Sequence, residues 1–165
     1  MEGRCCRMRK PKIYLETTLF NFYFDTDRDA HAATVKLFDE ISAGKYEPFT
    51  SEAVLIELRK APDEKRDKMI TLISEMEIPV LEINAESERL ADIYVRDGVI
   101  PVKYRTDGLH IALSAVNDLD MIISMNFQHI VKRKTEKMTA AINTLNGYRA
   151  VEILTPMEVI EDEKE

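Results

Sequence analysis

The stretch from Arg105 to Ile130, RTDGLHIALSAVNDLDMIISMNFQHI, constrains the fold more than any other, because helical periodicity gives way within it to a short buried-strand pattern. Leu109, Ala112, Leu113 and Val116 recur at the spacing of one inward helical face, and Thr106 is placed to cap that helix. Asp107 falls in the first turn, where free N–H groups and the macrodipole favour an anion, and His110 lies one turn on along the same side. Asn117-Asp118 breaks the helix. Met121-Ile122-Ile123-Ser124 then reads as a strand covered on both faces, as in a parallel sheet, and Asn126 follows its carboxyl end. Ligands in open α/β sheets bind at that edge, so Asp107 and Asn126 are candidates for one site. The alternatives are a helix-dipole partner for Asp107 and a turn residue for Asn126.

The rest of the chain repeats the alternation. Lys12-Ile13-Tyr14-Leu15 reads as a first strand, with Glu16-Thr17-Thr18 at its carboxyl end. Thr17 and Thr18 suit capping of the next turn, with assistance to a metal as the second reading. Helices are expected over 30–43, from a Ser51 cap to residue 60, over 63–77, from an Asn84 cap to residue 97, and over 135–146. Gly44, Gly98 and Gly147 are the stops. Further strands are expected at 47–50, 78–83 and 150–154, with Thr155-Pro156 opening a terminal turn. Asp25-Thr26-Asp27-Arg28-Asp29 lacks the apolar strand that a phosphoryl-transfer Asp-x-Asp needs, and reads as a solvated loop. Glu57 lies inside the apolar arc of Val54, Leu55 and Leu58, where an ionised carboxylate is costly unless it is paired with a Lys or Arg or binds a cation. Together these elements predict a single α/β domain over 12–160, with a mainly parallel central sheet flanked by helices.

Composition narrows the class. With 165 residues, 45% apolar and 32% charged, the chain is expected to be one soluble globular domain. It has no run of eighteen apolar residues, and its first residues lack the apolar core of a signal peptide, so a cytoplasmic protein with no membrane partner is expected. The basic start, residues 1–11, reads as a disordered extension and 161–165 as an acidic tail. The charges of the two ends cancel, which leaves the net −7 on the body and argues against a non-specific nucleic-acid coat. An enzyme that reaches phosphates through a divalent metal needs clustered carboxylates and is compatible with that charge. Cys5 and Cys6 are the only cysteines and adjacent, so neither a zinc site nor a disulfide framework is expected, and Met8 is a candidate natural start.

Glu16, Glu57 and Asp107, with Asn126 as a fourth polar position, offer oxygen ligands that suit Mg²⁺ or Mn²⁺, ions that attract a phosphodiester and activate water. These residues also carry a resemblance to a known family. IYLETT, SEAVLIEL and DGLHIALS, set in a match running from Ile13 to about Ile160, resemble the motifs of the PIN-domain nucleases, many of which are ribonuclease toxins of type II toxin–antitoxin pairs. The resemblance implies a metal-dependent endoribonuclease, with Glu16, Glu57 and Asp107 holding the metal and Asn126 counted with them as catalytic. Thr18 would complete the shell or touch substrate, and Lys103, Arg105, Lys132 and Arg133 would hold substrate phosphates. It further implies an RNA substrate, a homodimer and an antitoxin protein as partner. His110 and His129 are expected to pack or to support the ligands. Two positions depart from the family pattern: Glu16 and Asn126 stand where Asp is usual. Those departures leave open a second reading, a catalytically weakened PIN-like protein that binds RNA or protein.

Overall fold

A computed structural model describes residues 9–161. Cys5, Cys6 and Met8, most of the expected basic extension, and the acidic tail beyond Glu161 lie outside the described residues. The elements follow the order β1 (Lys12–Leu15), α1 (Thr17–Phe24), α2 (His31–Ser42), β2 (Glu47–Ser51), α3 (Glu52–Leu58), α4 (Asp63–Glu75), β3 (Val80–Leu81) and α5 (Ala85–Arg96). A single 3-10 turn (Val102–Tyr104) then leads into α6 (Arg105–Val116), β4 (Met121–Ile123), α7 (Arg133–Leu145), β5 (Glu152–Leu154) and α8 (Pro156–Val159).

The five strands pair in the order β3-β2-β1-β4-β5, and every pairing is parallel. Chain direction therefore reverses its progress across the sheet beside β1, whose Leu15 pairs with Ile123 of β4 on one side while Tyr14 pairs with Phe49 of β2 on the other. That is the topological switch point, where the strand ends part and leave room for polar groups. Ile13, Tyr14 and Leu15 are wholly buried, as are Ile122 and Ile123. Burial on both sheet faces explains why these strands are short continuous apolar runs rather than alternating ones.

The central helix departs from the one-faced reading. Residues Gly108 through Ala115 are all buried, so α6 is an interior helix and not a surface one with a single apolar stripe. Gly108 faces the preceding elements closely, where a Cβ would stand 3.4 Å from Ile100 Cγ1 and 3.6 Å from Tyr94 Cδ2. The helix also starts at Arg105, one residue before the expected Thr106 cap, because the Val102–Tyr104 turn runs straight into it. Ser51 and Asn84 cap α3 and α5 as expected, the latter in a capping box with Ser87. The expected strand at 78–83 shrinks to Val80–Leu81, an edge strand with one neighbour. Gly98 and Gly147 close α5 and α7 at φ 77° and 84°, a region in which a Cβ is strained. No helix among the described residues is long and apolar enough to cross a membrane.

Candidate active site at the carboxyl edge of the sheet

Four segments bring polar side chains to the switch point. Leu15 ends β1 inside the core, and the next residue, Glu16, keeps an extended backbone at φ −79° and ψ 161° and caps α1. Its Oε2 accepts from the Thr18 N–H at 2.8 Å, and its Oε1 accepts from the Thr18 hydroxyl at 2.9 Å and the Ser124 hydroxyl at 2.7 Å. Capping thus belongs to Glu16 rather than to the threonines. The carboxylate is only 2% exposed. Burial pushes its pKa up, and the His110 charge and the Ser124 and Thr18 bonds pull it back only in part.

Glu57 reaches the same place from α3. It accepts from the Thr17 hydroxyl at 3.1 Å and from His110 Nε2, both on Oε1, which leaves Oε2 without a hydrogen bond among the described residues. The partner that offsets its position in the apolar arc is a histidine, not the Lys or Arg expected of a salt bridge. Burial raises the Glu57 pKa, but the bond to His110, its charge, Thr17 and the more distant Lys60 outweigh burial and hold it below the ordinary value. Asp107, in the first turn of α6, places its Oδ2 3.0 Å from His129 Nδ1. Burial dominates there and raises its pKa, against the charges of His110 and His129 and a hydrogen bond from Asn126. Asn126 turns its Oδ1 to the backbone N–H groups of Gln128 and His129 at 3.2 and 3.1 Å, so its amide group remains for Asp107. Both sequence readings of Asn126 hold at once: it shapes a turn and it touches the acid.

His110 stands in the middle. Its Nδ1 lies 2.6 Å from the Tyr14 hydroxyl, which lies 2.6 Å from Ser51 Oγ. Ser51 Oγ accepts from the Ala53 and Val54 N–H groups, so its own hydrogen points to Tyr14. Tyr14 then donates to His110 Nδ1, and Nε2–H donates to Glu57, so both hydroxyls and both ring nitrogens have partners. Burial lowers the His110 pKa, but the bond to Glu57 and the charges of Glu57, Glu16 and Asp107 raise it overall. His110 thus interacts electrostatically with all three acids, and among the described residues neither Glu57 nor Asp107 has a Lys or Arg ion pair.

The donors are oxygens of carboxylate, hydroxyl and amide groups, which suits a hard divalent ion in kind. As placed, they do not form a finished cage: among the described residues no three acidic, histidine or cysteine side chains are grouped so as to hold a metal. Glu16 spends its oxygens on three hydrogen bonds, and Glu57 and Asp107 are the acids with the more open carboxylates, at 32% and 17% exposed.

The expected substrate residues scatter. Thr18 Oγ1 is engaged with Glu16 and the Met125 N–H. Arg105 is tied to Asp92 at 2.6 Å and to the Glu88 carbonyl at 3.2 Å, which directs it to α5. Lys132 and Arg133 line a separate hollow with Glu136, Lys137 and Glu158, and none of the four polar site residues borders it. Lys103 lies over the Tyr104 ring at 5.6 Å. Sequence reasoning missed Tyr14, Ser51 and Ser124 as supports. The signal was a tyrosine in a buried strand, whose hydroxyl requires a partner.

No family model matches the chain, and no curated protein matches it in sequence. Solved structures do match it in fold. A toxin–antitoxin pair from Rickettsia felis, VapBC2, solved bound to a DNA fragment from its promoter, matches at a TM-score of 0.54 and 12% identity, over 87% of this chain and 98% of that one. VapC20 from Mycobacterium tuberculosis, a toxin that cleaves the Sarcin-Ricin loop, matches at a TM-score of 0.57 and 15% identity, over 85% of this chain and 98% of that one. The fold of this chain is the PIN-domain fold of the VapC toxins.

Proposed function

We propose that the chain is a divalent-metal-dependent endoribonuclease and acts as the toxin of a toxin–antitoxin pair. One observation carries this reading: Glu16, Glu57 and Asp107 come from separate segments to the switch point of the sheet, around a buried imidazole and, among the described residues, without an Arg or Lys ion pair on Glu57 or Asp107. Gathering carboxylates in this way is costly without a cation. The likeness to VapC20, itself a Sarcin-Ricin loop cleaving toxin, supports RNA as the substrate class. The likeness to VapBC2 supports an antitoxin partner.

In this reading Glu57 and Asp107 hold Mg²⁺ or Mn²⁺, with Glu16 closing the set. When bound, the ion would supply charge neutralisation for the phosphodiester and activate the attacking water. The chain's own contribution is to fix the acids. Thr17 and His110 hold Glu57 in one orientation, and His129 and Asn126 do the same for Asp107. Buried Tyr14 and Ser51 fix His110 in turn. Lys103 is the candidate substrate cation that remains nearest Asp107 in sequence without an ion pair to an acid among the described residues.

A second reading, a PIN-like binding module with weakened hydrolysis, is favoured by the three hydrogen bonds that close Glu16 and by the backbone bonds that occupy Asn126 Oδ1. Incubating the pure protein with RNA in Mn²⁺, Mg²⁺ or EDTA separates the two. Cleavage that requires the metal is expected; RNA binding with no metal-dependent cleavage would favour the module.

A further inference from the structure

Beside the acid cluster lies an aromatic surface that the chemistry just described leaves unused. His129, whose Nδ1 lies 3.0 Å from Asp107 Oδ2, is stacked against Tyr104 with ring centroids 3.9 Å apart and planes 25° apart. Tyr104 remains 39% exposed, and Phe127, in the turn that Asn126 shapes, is 52% exposed. Lys103 Nζ sits 5.6 Å from the centre of the Tyr104 ring. The order Asp107, His129, Tyr104 therefore runs from the candidate metal ligand out to solvent.

We infer that Tyr104, backed by His129 and flanked by Lys103 and Phe127, is a stacking platform for an unpaired nucleobase of the RNA next to the phosphodiester presented to the acids. The inference rests on the ribonuclease reading and names the substrate state it prefers: single-stranded or looped RNA. Charge leads to the same place. A chain with net charge −7 cannot rely on a broad cationic coat for its grip on RNA, and a base face is attracted to an aromatic ring whatever the sign of the protein. Lys103, 5.6 Å from the centre of the ring, adds one positive charge at that place. Bases in an A-form duplex are stacked inside the helix and unavailable to such a ring, so the platform discriminates against duplex.

The chain contains no tryptophan, so Tyr104→Trp places a single emitter on the platform. The variant is titrated in Ca²⁺ with a short unstructured oligoribonucleotide and with its preformed duplex, and anisotropy of labelled RNA is followed in parallel. Quenching of the tryptophan by the single strand, at concentrations where the duplex leaves it unchanged, is expected. Tyr104→Leu should bind the single strand about tenfold to a hundredfold more weakly, and Tyr104→Phe should bind like the parent. In cleavage, Tyr104→Leu should raise KM while kcat stays within about twofold. If the parent binds and cleaves RNA but the tryptophan does not respond and Tyr104→Leu binds normally, the platform is overturned and the ribonuclease reading stands. An unresponsive tryptophan, together with a dimer that Tyr104→Leu dissociates, assigns the patch to a protein contact and overturns it equally. If the parent neither binds nor cleaves any RNA, both fail.

Discussion

The two ends of one sheet each gather carboxylates, and the protein treats them in opposite ways. At the amino end, Asp120 precedes β4 and accepts from the Lys12 N–H at 2.7 Å, from Arg9 at 2.7 Å and from Arg149 at 3.2 Å. Burial tends to raise its pKa, but those N–H groups and guanidinium charges prevail and hold it below the ordinary value. Arg149 also binds Asp118, whose pKa it lowers from a fully exposed position. At the carboxyl end, Glu16 and Asp107 are more buried and have histidines where Asp120 has arginines, and their pKa values rise, while Glu57, bonded to His110, is held below the ordinary value. The amino end is a finished ion-pair network that ties β1, β4 and the approach to β5 together. The carboxyl end holds negative charge that the chain itself leaves incompletely neutralised, which is the condition of a cation site.

The largest effect expected from this contrast is on catalysis. Asp107→Asn should lower metal-dependent RNA cleavage by about 100-fold or more, since it removes charge where charge develops in the reaction, while circular dichroism shows a folded protein. Asp120→Asn should leave cleavage within about twofold and cost roughly 1 kcal/mol of stability, because its pairs are partly solvated. Equal losses of activity in the two variants would erase the distinction between the ends.

Next in size is the buried support. His110→Ala should destabilise the protein by about 2–4 kcal/mol, because it opens a cavity and leaves the Tyr14 hydroxyl and Glu57 without their partner. Tyr14→Phe, which removes one hydroxyl from the chain, should cost roughly 1 kcal/mol. Denaturant melts measure both, and a His110→Ala protein as stable as the parent would mean that the imidazole does not hold the cluster together.

A smaller effect separates the ends by pH. Glu16, Asp107 and His110 all have raised pKa values, so the folded state binds protons that the unfolded state has released. Their contribution to stability is complete below the unfolded values and is lost as pH climbs through the folded ones. Asp120 and Glu57, with lowered values, contribute in the opposite sense, and their share is lost as pH falls through the folded values. In EDTA, stability should therefore decline from mildly acidic pH toward alkaline pH, and Asp107→Asn should flatten that decline. An unchanged slope in the variant would show that Asp107 does not carry the excess charge.

Much of this contrast was legible in the residues. The alternation of apolar runs with helical periods placed the strands, and Glu16, Glu57 and Asp107 stood out because each followed a buried strand, interrupted an apolar arc or opened a helix. All three come to one edge of the sheet. What the pattern could not reveal were contacts set by tertiary placement. The Tyr14–His110–Glu57 chain joins three elements, and no spacing encodes it. Arg105 and Lys103 look equivalent in KYRTD, yet one binds Asp92 and the other lies over Tyr104. Burial of α6 on every face from Gly108 to Ala115 also escaped, because Gly108, His110, Ser114 and Ala115 lie on faces that hydrophobicity alone does not mark. Asn126 was ambiguous for a chemical reason: an amide can shape a turn with its oxygen and still donate with its nitrogen.

That ambiguity sets the smallest prediction. Asn126→Asp replaces the amide that faces Asp107 with a carboxylate, so Mn²⁺ affinity should rise by roughly threefold to tenfold while apo stability falls slightly. Calorimetric titration and EDTA melts give the two values; no change in either would place Asn126 outside the cation shell.

Thermal melts of the parent, Asp107→Asn and Asp120→Asn in EDTA and in millimolar Mn²⁺ test the division between the two ends most directly. Binding to the native state alone adds RT ln(1 + [L]/Kd), so Mn²⁺ at about ten times Kd should raise Tm by roughly 4 °C in the parent and in Asp120→Asn. Asp107→Asn should show little or no rise. Equal shifts in all three proteins, or none in the parent, would contradict a cation site at the carboxyl edge.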